Sequence, residues 1–138
     1  MSFHWSEDLR TGLPEIDAQH QALISRFNEM IAACLHRTGK DEIGRVLAFL
    51  SGYVNRHFDD EERVMAACSY TGLQQHQEEH ARFRQRLQVL ADTYREQGAT
   101  DQVVADTVWA AAEWFVEHIR QVDLAMASVV RQWQERNA

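Results

Sequence analysis

The clearest helical signal in the chain is at residues 73–94, LQQHQEEHARFRQRLQVLADTY. Its apolar residues recur at alternating steps of three and four, the spacing of one buried face of an α-helix. Two histidines lie on the same face. The full face comprises Leu73, His76, His80, Phe83, Leu87, Leu90 and Tyr94. A helix that directs two imidazoles into a core needs a partner that compensates for burying them.

Three further segments show the same spacing, each with a histidine at a core-facing position. The first begins near Ile16, has Gly39 as its expected stop, and buries His20, Leu23, Phe27, Met30 and Cys34. The second ends near Ser69 to Gly72 and buries Ile43, Leu47, Leu50, Val54, His57, Glu61 and Val64. The segment 73–94 quoted above closes at Gly98, and Thr100 or Asp101 caps the fourth helix of the chain. That fourth helix buries Val104, Val108, Ala111, Phe115, His118, Val122, Ala125 and Val129.

Four amphipathic helices joined by short loops predict an all-α fold, an antiparallel up-down-up-down four-helix bundle. Residues 1–15 are expected to form an extended N-terminal arm, in which Phe3 and Trp5 could pack on the body. Residues 16–138 then form the bundle, and the whole chain forms one domain.

Charge and composition exclude several classes of protein. The 138 residues carry a formal net charge of −7, without the basic patch that nucleic acid or an anionic membrane requires. No apolar run is long enough to cross a membrane, and the N-terminus lacks the pattern of a signal peptide, so we expect a cytoplasmic protein. Cys34 and Cys68 are too few for a disulfide framework and are interpreted as packing residues. A monomer is expected.

Seven core-facing polar residues suggest a metal site, and they are His20, His57, Glu61, His76, His80, His118 and Asp123. Pairs at i and i+4 place both side chains on one helix face, about 6 Å apart. Asp123 follows His118 by five residues, about 140° around an ideal helix, and converges only if a π-bulge or the end of regular winding intervenes. Five imidazoles and two carboxylates suit two transition-metal ions better than calcium, magnesium or one structural zinc.

Other polar residues are assigned to the surface. His4 and His36 lie off the constellation. The acidic residues expected on solvated faces are Asp59, Asp60, Glu62, Glu78 and Glu79.

On these residues the chain resembles the hemerythrins, the non-haem di-iron oxygen-binding family, and in particular their single-domain bacterial members. The similarity covers nearly the whole length. Besides the seven residues above, it is carried by Phe3, Trp5, Gly12, Ile16, Asp17, Gln19, Phe58, Glu62, Met65, Tyr70, Glu79, Phe83, Trp114 and Ile119. Two positions depart from the family pattern: Thr71, where proline often follows the tyrosine, and Phe115, where an aliphatic residue is common.

The resemblance implies a role for each candidate residue. His76, His80 and His118 would hold one iron, and His20 and His57 the other. Glu61 and Asp123 would bridge the two irons together with an oxo or hydroxo group. The iron with fewer protein ligands would keep an open position for dioxygen, beside an apolar oxygen pocket formed by Phe58, Trp114, Phe115 and Ile119.

The function implied by the resemblance is reversible dioxygen binding for storage, delivery or buffering, without catalytic turnover. A transient protein acceptor of oxygen would then be a partner. One alternative is a di-iron enzyme, or a scavenger or sensor of nitric oxide or oxygen, using the same open iron position. Another is iron storage or sensing, which predicts loosely held metal. Few ligand carboxylates favour reversible binding, because less negative charge disfavours very high oxidation states of iron.

Overall fold

The computed structural model describes residues 3–36, 40–98 and 100–138, and these residues form helices connected by short loops. A 3-10 turn at Glu7–Leu9 precedes α1 (Pro14–Leu35), α2 (Lys40–Ala67) and α3 (Leu73–Gln97). The fourth predicted helix is a continuous helical rod made of three segments: α4 (Asp101–His118), a π-helical turn (Ile119–Asp123) and α5 (Leu124–Arg136). Together with α1, α2 and α3 it gives four helical rods. None of the helices within the described ranges is long and apolar enough to cross a lipid bilayer.

The four rods pack as the predicted bundle. Helix α1 packs against α2 and α4, and α3 packs against α2 and α4, while α2 also contacts α5. The core faces predicted for α1 and α3 are buried apart from the terminal Leu73, and that of α2 is buried apart from Val64. Two clusters fill the interior, a large one centred on Phe27, Phe58 and Phe115 and a smaller one around Met65 and Met126.

Helix ends agree closely with the expected signals where they can be compared. Gly98 ends α3 at a φ of 69°, a backbone conformation that favours glycine, and Thr100 caps α4 by accepting a hydrogen bond from the backbone N–H of Val103. Helix α1 begins at Pro14 rather than Ile16, because proline is well suited to the first helical turn. The predicted stop at Gly39 lies outside the described residues.

The core face predicted for the C-terminal part of the last rod was wrong, because the residues that are buried there lie one position away from the predicted ones. Val122 is half-buried, and Ala125 and Val129 are exposed. The buried residues are instead Asp123, Met126, Ala127 and Val130. The π turn explains this difference, since its wider winding shifts the inward face by one residue along the sequence. The 3.6-residue period that predicted Val122, Ala125 and Val129 assumed an uninterrupted α-helix.

The N-terminal arm lies on the bundle through specific contacts. Phe3 packs on Trp109 with ring centroids 4.4 Å apart, and its backbone N–H and C=O are both hydrogen-bonded to the side chain of Asn28. Further along, the buried carboxylate of Asp17 accepts hydrogen bonds from the backbone and hydroxyl of Thr11, each at 2.8 Å, and from the backbone of Gly12 at 3.2 Å. Asp17 therefore ties the arm to the first turn of α1.

Replacing Asp17 by alanine is expected to destabilise the protein by about 2 kcal/mol, because buried donors of the arm lose their acceptor. The midpoint of urea unfolding, followed by circular dichroism, measures this change. Glu15→Ala is the matched control: it removes an exposed acidic residue from the same helical turn and should cost less than about 1 kcal/mol. Equal effects of the two substitutions would show that Asp17 does not anchor the arm.

Candidate metal centre

The fold brings all seven predicted residues together at the bundle axis, and every one is buried, with at most 5% of its surface exposed. Their nitrogen and oxygen atoms form two groups, each able to hold a metal ion, with all ligand atoms of a group within 4.8 Å of one another. One group comprises Glu61, His76, His80, His118 and Asp123. The other comprises His20, His57, Glu61 and Asp123. Glu61 and Asp123 belong to both groups.

Each shared carboxylate directs one oxygen to each group. Oε1 of Glu61 lies 2.9 Å from Nε2 of His76 and 3.3 Å from Nε2 of His80. Its Oε2 lies 3.2 Å from Nε2 of His57 and 3.6 Å from Nε2 of His20. This division of oxygens is the arrangement that a carboxylate bridging two ions requires.

Asp123 divides its oxygens in the same way. Oδ1 lies 3.0 Å from Nε2 of His76 and 3.2 Å from Nε2 of His118, whereas Oδ2 lies 3.2 Å from Nε2 of His20. The π turn at Ile119–Asp123 makes this possible, because it brings Asp123 onto the face that His118 occupies one turn earlier. Of the two alternatives that the five-residue spacing allowed, a π-bulge or the end of regular winding, the structure contains the π-bulge.

The buried charges compensate each other through protons when no metal is bound. Burial alone would lower the pKa of His20 and of His76, but the Asp123 and Glu61 carboxylates outweigh it and raise both pKa values to about 9. Burial alone would raise the pKa of Glu61, yet the four surrounding imidazoles hold that pKa well below its usual range. Burial and the neighbouring Glu61 oppose ionisation of Asp123, and three imidazoles still lower its pKa.

The same atoms are poorly satisfied by hydrogen bonding within the protein. Nε2 of His20, His57 and His80 and all four carboxylate oxygens of Glu61 and Asp123 are buried without a hydrogen-bond partner. Such orphaned groups are costly in a protein interior. Five imidazoles and two carboxylates converging on two points are a donor set that transition metals prefer, so the residues fit a pair of iron ions.

Two of the five histidines are hydrogen-bonded through Nδ1 to an outer partner. Nδ1 of His57 donates to Oε1 of Gln19 at 2.8 Å, and the amide of Gln19 in turn donates to Asp60 at 2.8 Å. Nδ1 of His80 donates to Glu62 at 2.6 Å. These contacts fix the ring orientation and leave Nε2 free for a metal.

The expectation that Asp60, Glu62 and Glu79 lie on solvated faces was wrong. All three are partly buried, and Oε2 of Glu79 lies 3.4 Å from Nδ1 of His118. Asp59 and Glu78 are exposed as expected, as are His4 and His36. A useful signal was that a metal-binding imidazole commonly has a polar partner at its second ring nitrogen, so acidic residues that neighbour the predicted ligands along the chain are candidates for that role.

Aromatic rings enclose the cluster. Phe58 stacks on His80 with centroids 3.7 Å apart and planes 3° apart, and Trp114 stacks on His118 at 4.7 Å. Phe115 lies edge-on to His20 at 5.7 Å and to His57 at 6.0 Å. Of the four predicted pocket residues, Phe58, Phe115 and Ile119 are fully buried, and Trp114 is partly buried. Phe115 is thus placed beside the two-histidine group and Trp114 beside the three-histidine group.

Comparisons with known proteins agree with this geometry. Residues 11–130 match the family model described as the hemerythrin HHE cation binding domain. The chain is 30% identical to a myohemerythrin of Riftia pachyptila, over 86% of each chain. It is 32% identical to a bacteriohemerythrin of Methylococcus capsulatus, over 78% of this chain and 79% of the relative. A crystal structure of a hemerythrin mutant superposes with a TM-score of 0.86 at 26% identity, covering 94% of this chain and 98% of the other.

Proposed function

Because the chain belongs to the hemerythrin family, we propose that it binds dioxygen reversibly at a pair of iron ions in the bundle core. The main support for this proposal is that two groups of candidate metal ligands lie side by side and share Glu61 and Asp123. Two ions held side by side by common carboxylates can act on one diatomic molecule together.

In this proposal His76, His80 and His118 would hold one iron, His20 and His57 would hold the other, and Glu61 and Asp123 would be shared by both. When bound, an iron pair with a solvent-derived oxo or hydroxo bridge would supply the electrons for oxygen binding. The group with two histidines offers fewer protein ligands, so an open coordination position would lie on that side. The residue next to it is Phe115.

The surrounding residues determine which molecules reach the site. Phe58, Phe115 and Ile119 are fully buried and apolar, and a lining of such side chains favours a small apolar gas over water. Phe115 has no polar atom with which to bind an organic substrate. These features support a site for a small diatomic gas, nitric oxide as well as dioxygen, and no enzymatic turnover. Storage, delivery or buffering of oxygen is the corresponding role.

The test is to load the protein anaerobically with ferrous iron, count the iron per chain, and record the visible spectrum while oxygen is admitted and then removed. We expect two irons per chain and a charge-transfer band that appears with oxygen and disappears when oxygen is withdrawn. Permanent oxidation on the first exposure would contradict reversible binding and favour an oxidase or a redox sensor. Rapid loss of iron to a weak chelator would favour iron storage.

A further inference from the structure

Arg84 connects α3 to α2 from the outer side of the metal centre. It lies one helical turn after His80 on α3, and its guanidinium extends across to α2. Nε donates to Oδ1 of Asn55 at 3.0 Å, and one terminal nitrogen donates to Asp59 at 2.7 Å. The planar fork of an arginine can serve several acceptors at once in a fixed geometry.

The same guanidinium contacts the two groups that hold the His80 imidazole. It lies 5.3 Å from the ring centroid of Phe58, within range of a cation–π contact, and its Nη1 lies 3.5 Å from Oε2 of Glu62. Phe58 stacks in parallel on His80, which sets the plane of the imidazole. Glu62 accepts the hydrogen bond from Nδ1, which sets the tautomer and leaves Nε2 to face Glu61.

We propose that Arg84 is a positioning residue for His80: by fixing Phe58 and Glu62 together, it holds this one imidazole in the geometry that retains its iron. The proposal rests on the proposed function, in which His80 is an iron ligand. The burial of the groups that Arg84 contacts favours this role over a simple link between α2 and α3. Asp59 is 65% exposed, so its ion pair with Arg84 is screened by water and adds little stability. Glu62 is only 16% exposed, so its contact with the guanidinium is less screened.

Arg84→Gln removes the fork and the charge while keeping a similar chain length. We expect the iron-loaded variant to release one of its two irons to a ferrous chelator about tenfold faster, since outer partners typically change metal affinity by 10–100-fold. The other iron should leave at the unmodified rate. Gln19→Leu provides the matched comparison, because it removes the Nδ1 partner of His57 and should accelerate the other phase of release.

Three controls distinguish positioning from general loosening of the fold. Arg82→Gln removes an exposed arginine from the same helix, and Asp59→Asn weakens only the screened ion pair, so both should release iron at the unmodified rate. Arg84→Lys keeps the charge without the fork and should rescue iron retention only in part. Melting temperatures of all variants should lie within a few degrees of the unmodified protein.

The outcomes separate this inference from the function on which it rests. If the unmodified chain fails to hold two irons, the ligand assignment fails, and the role of Arg84 fails with it. If the chain holds two irons but Arg84→Gln releases both at unmodified rates, only the positioning role is overturned. Equal acceleration of both irons, an effect of Asp59→Asn as large as that of Arg84→Gln, or full rescue by lysine would also overturn it.

Discussion

Replacing Glu61 by alanine is expected to leave the chain with well below two bound irons. Both groups of candidate ligands contain this carboxylate, and each of its oxygens faces a different group. Its loss therefore weakens both iron positions at once. Four imidazoles would also lose the negative charge that compensates them in a dry core. Anaerobic loading with ferrous iron, removal of unbound metal and elemental analysis measure the iron content.

Two further variants show whether the position of the carboxylate is what matters. Glu61→Asp keeps the charge but shortens the side chain, so it should retain an intermediate amount of iron. Glu78→Ala removes an exposed carboxylate from α3 and should retain both irons. Full iron content and an unchanged spectrum in Glu61→Ala would overturn the assignment of Glu61 as a bridging ligand.

The fold was predictable because most of the chain follows one regular helical period. Core positions spaced by three and four residues, together with stops at Gly98 and a cap at Thr100, were enough to predict four rods. The same helical period predicted that six of the seven polar residues, all except Asp123, face the core. Their convergence into two groups then required only that the rods pack as a bundle.

Asp123 and the outer partners could not be derived from that period. The π turn interrupts the regular winding of the fourth helix, and an argument from a regular helix therefore misplaced the face containing Val122, Ala125 and Val129. Glu62 presented a different problem. Its neighbour on the sequence, Glu61, points into the core, while Glu62 reaches His80 on α3, a contact between helices that sequence spacing does not reveal.

The proton balance of the cluster predicts different effects of pH on the stability of the iron-free and iron-loaded proteins. Without iron, the folded state raises the pKa of His20 and of His76 from 6.5 to about 9. A raised pKa contributes stability that is fully present below the unfolded value and is lost as the pH rises through the folded value. Iron-free protein should therefore lose stability between pH 6.5 and 9, on the order of 3 kcal/mol for one such histidine.

Iron changes this dependence, because it binds neutral imidazoles and competes with the same protons. The iron-loaded protein should therefore keep or gain stability over that pH range, so that the difference between the two forms widens towards pH 9. Urea unfolding of both forms at several pH values measures the difference. His36→Ala removes an exposed histidine far from the candidate ligands in sequence and should leave the difference between the two forms unchanged. Iron-free protein that became more stable from pH 6.5 to 9 would show that protons do not compensate the Glu61 and Asp123 carboxylates in the absence of metal.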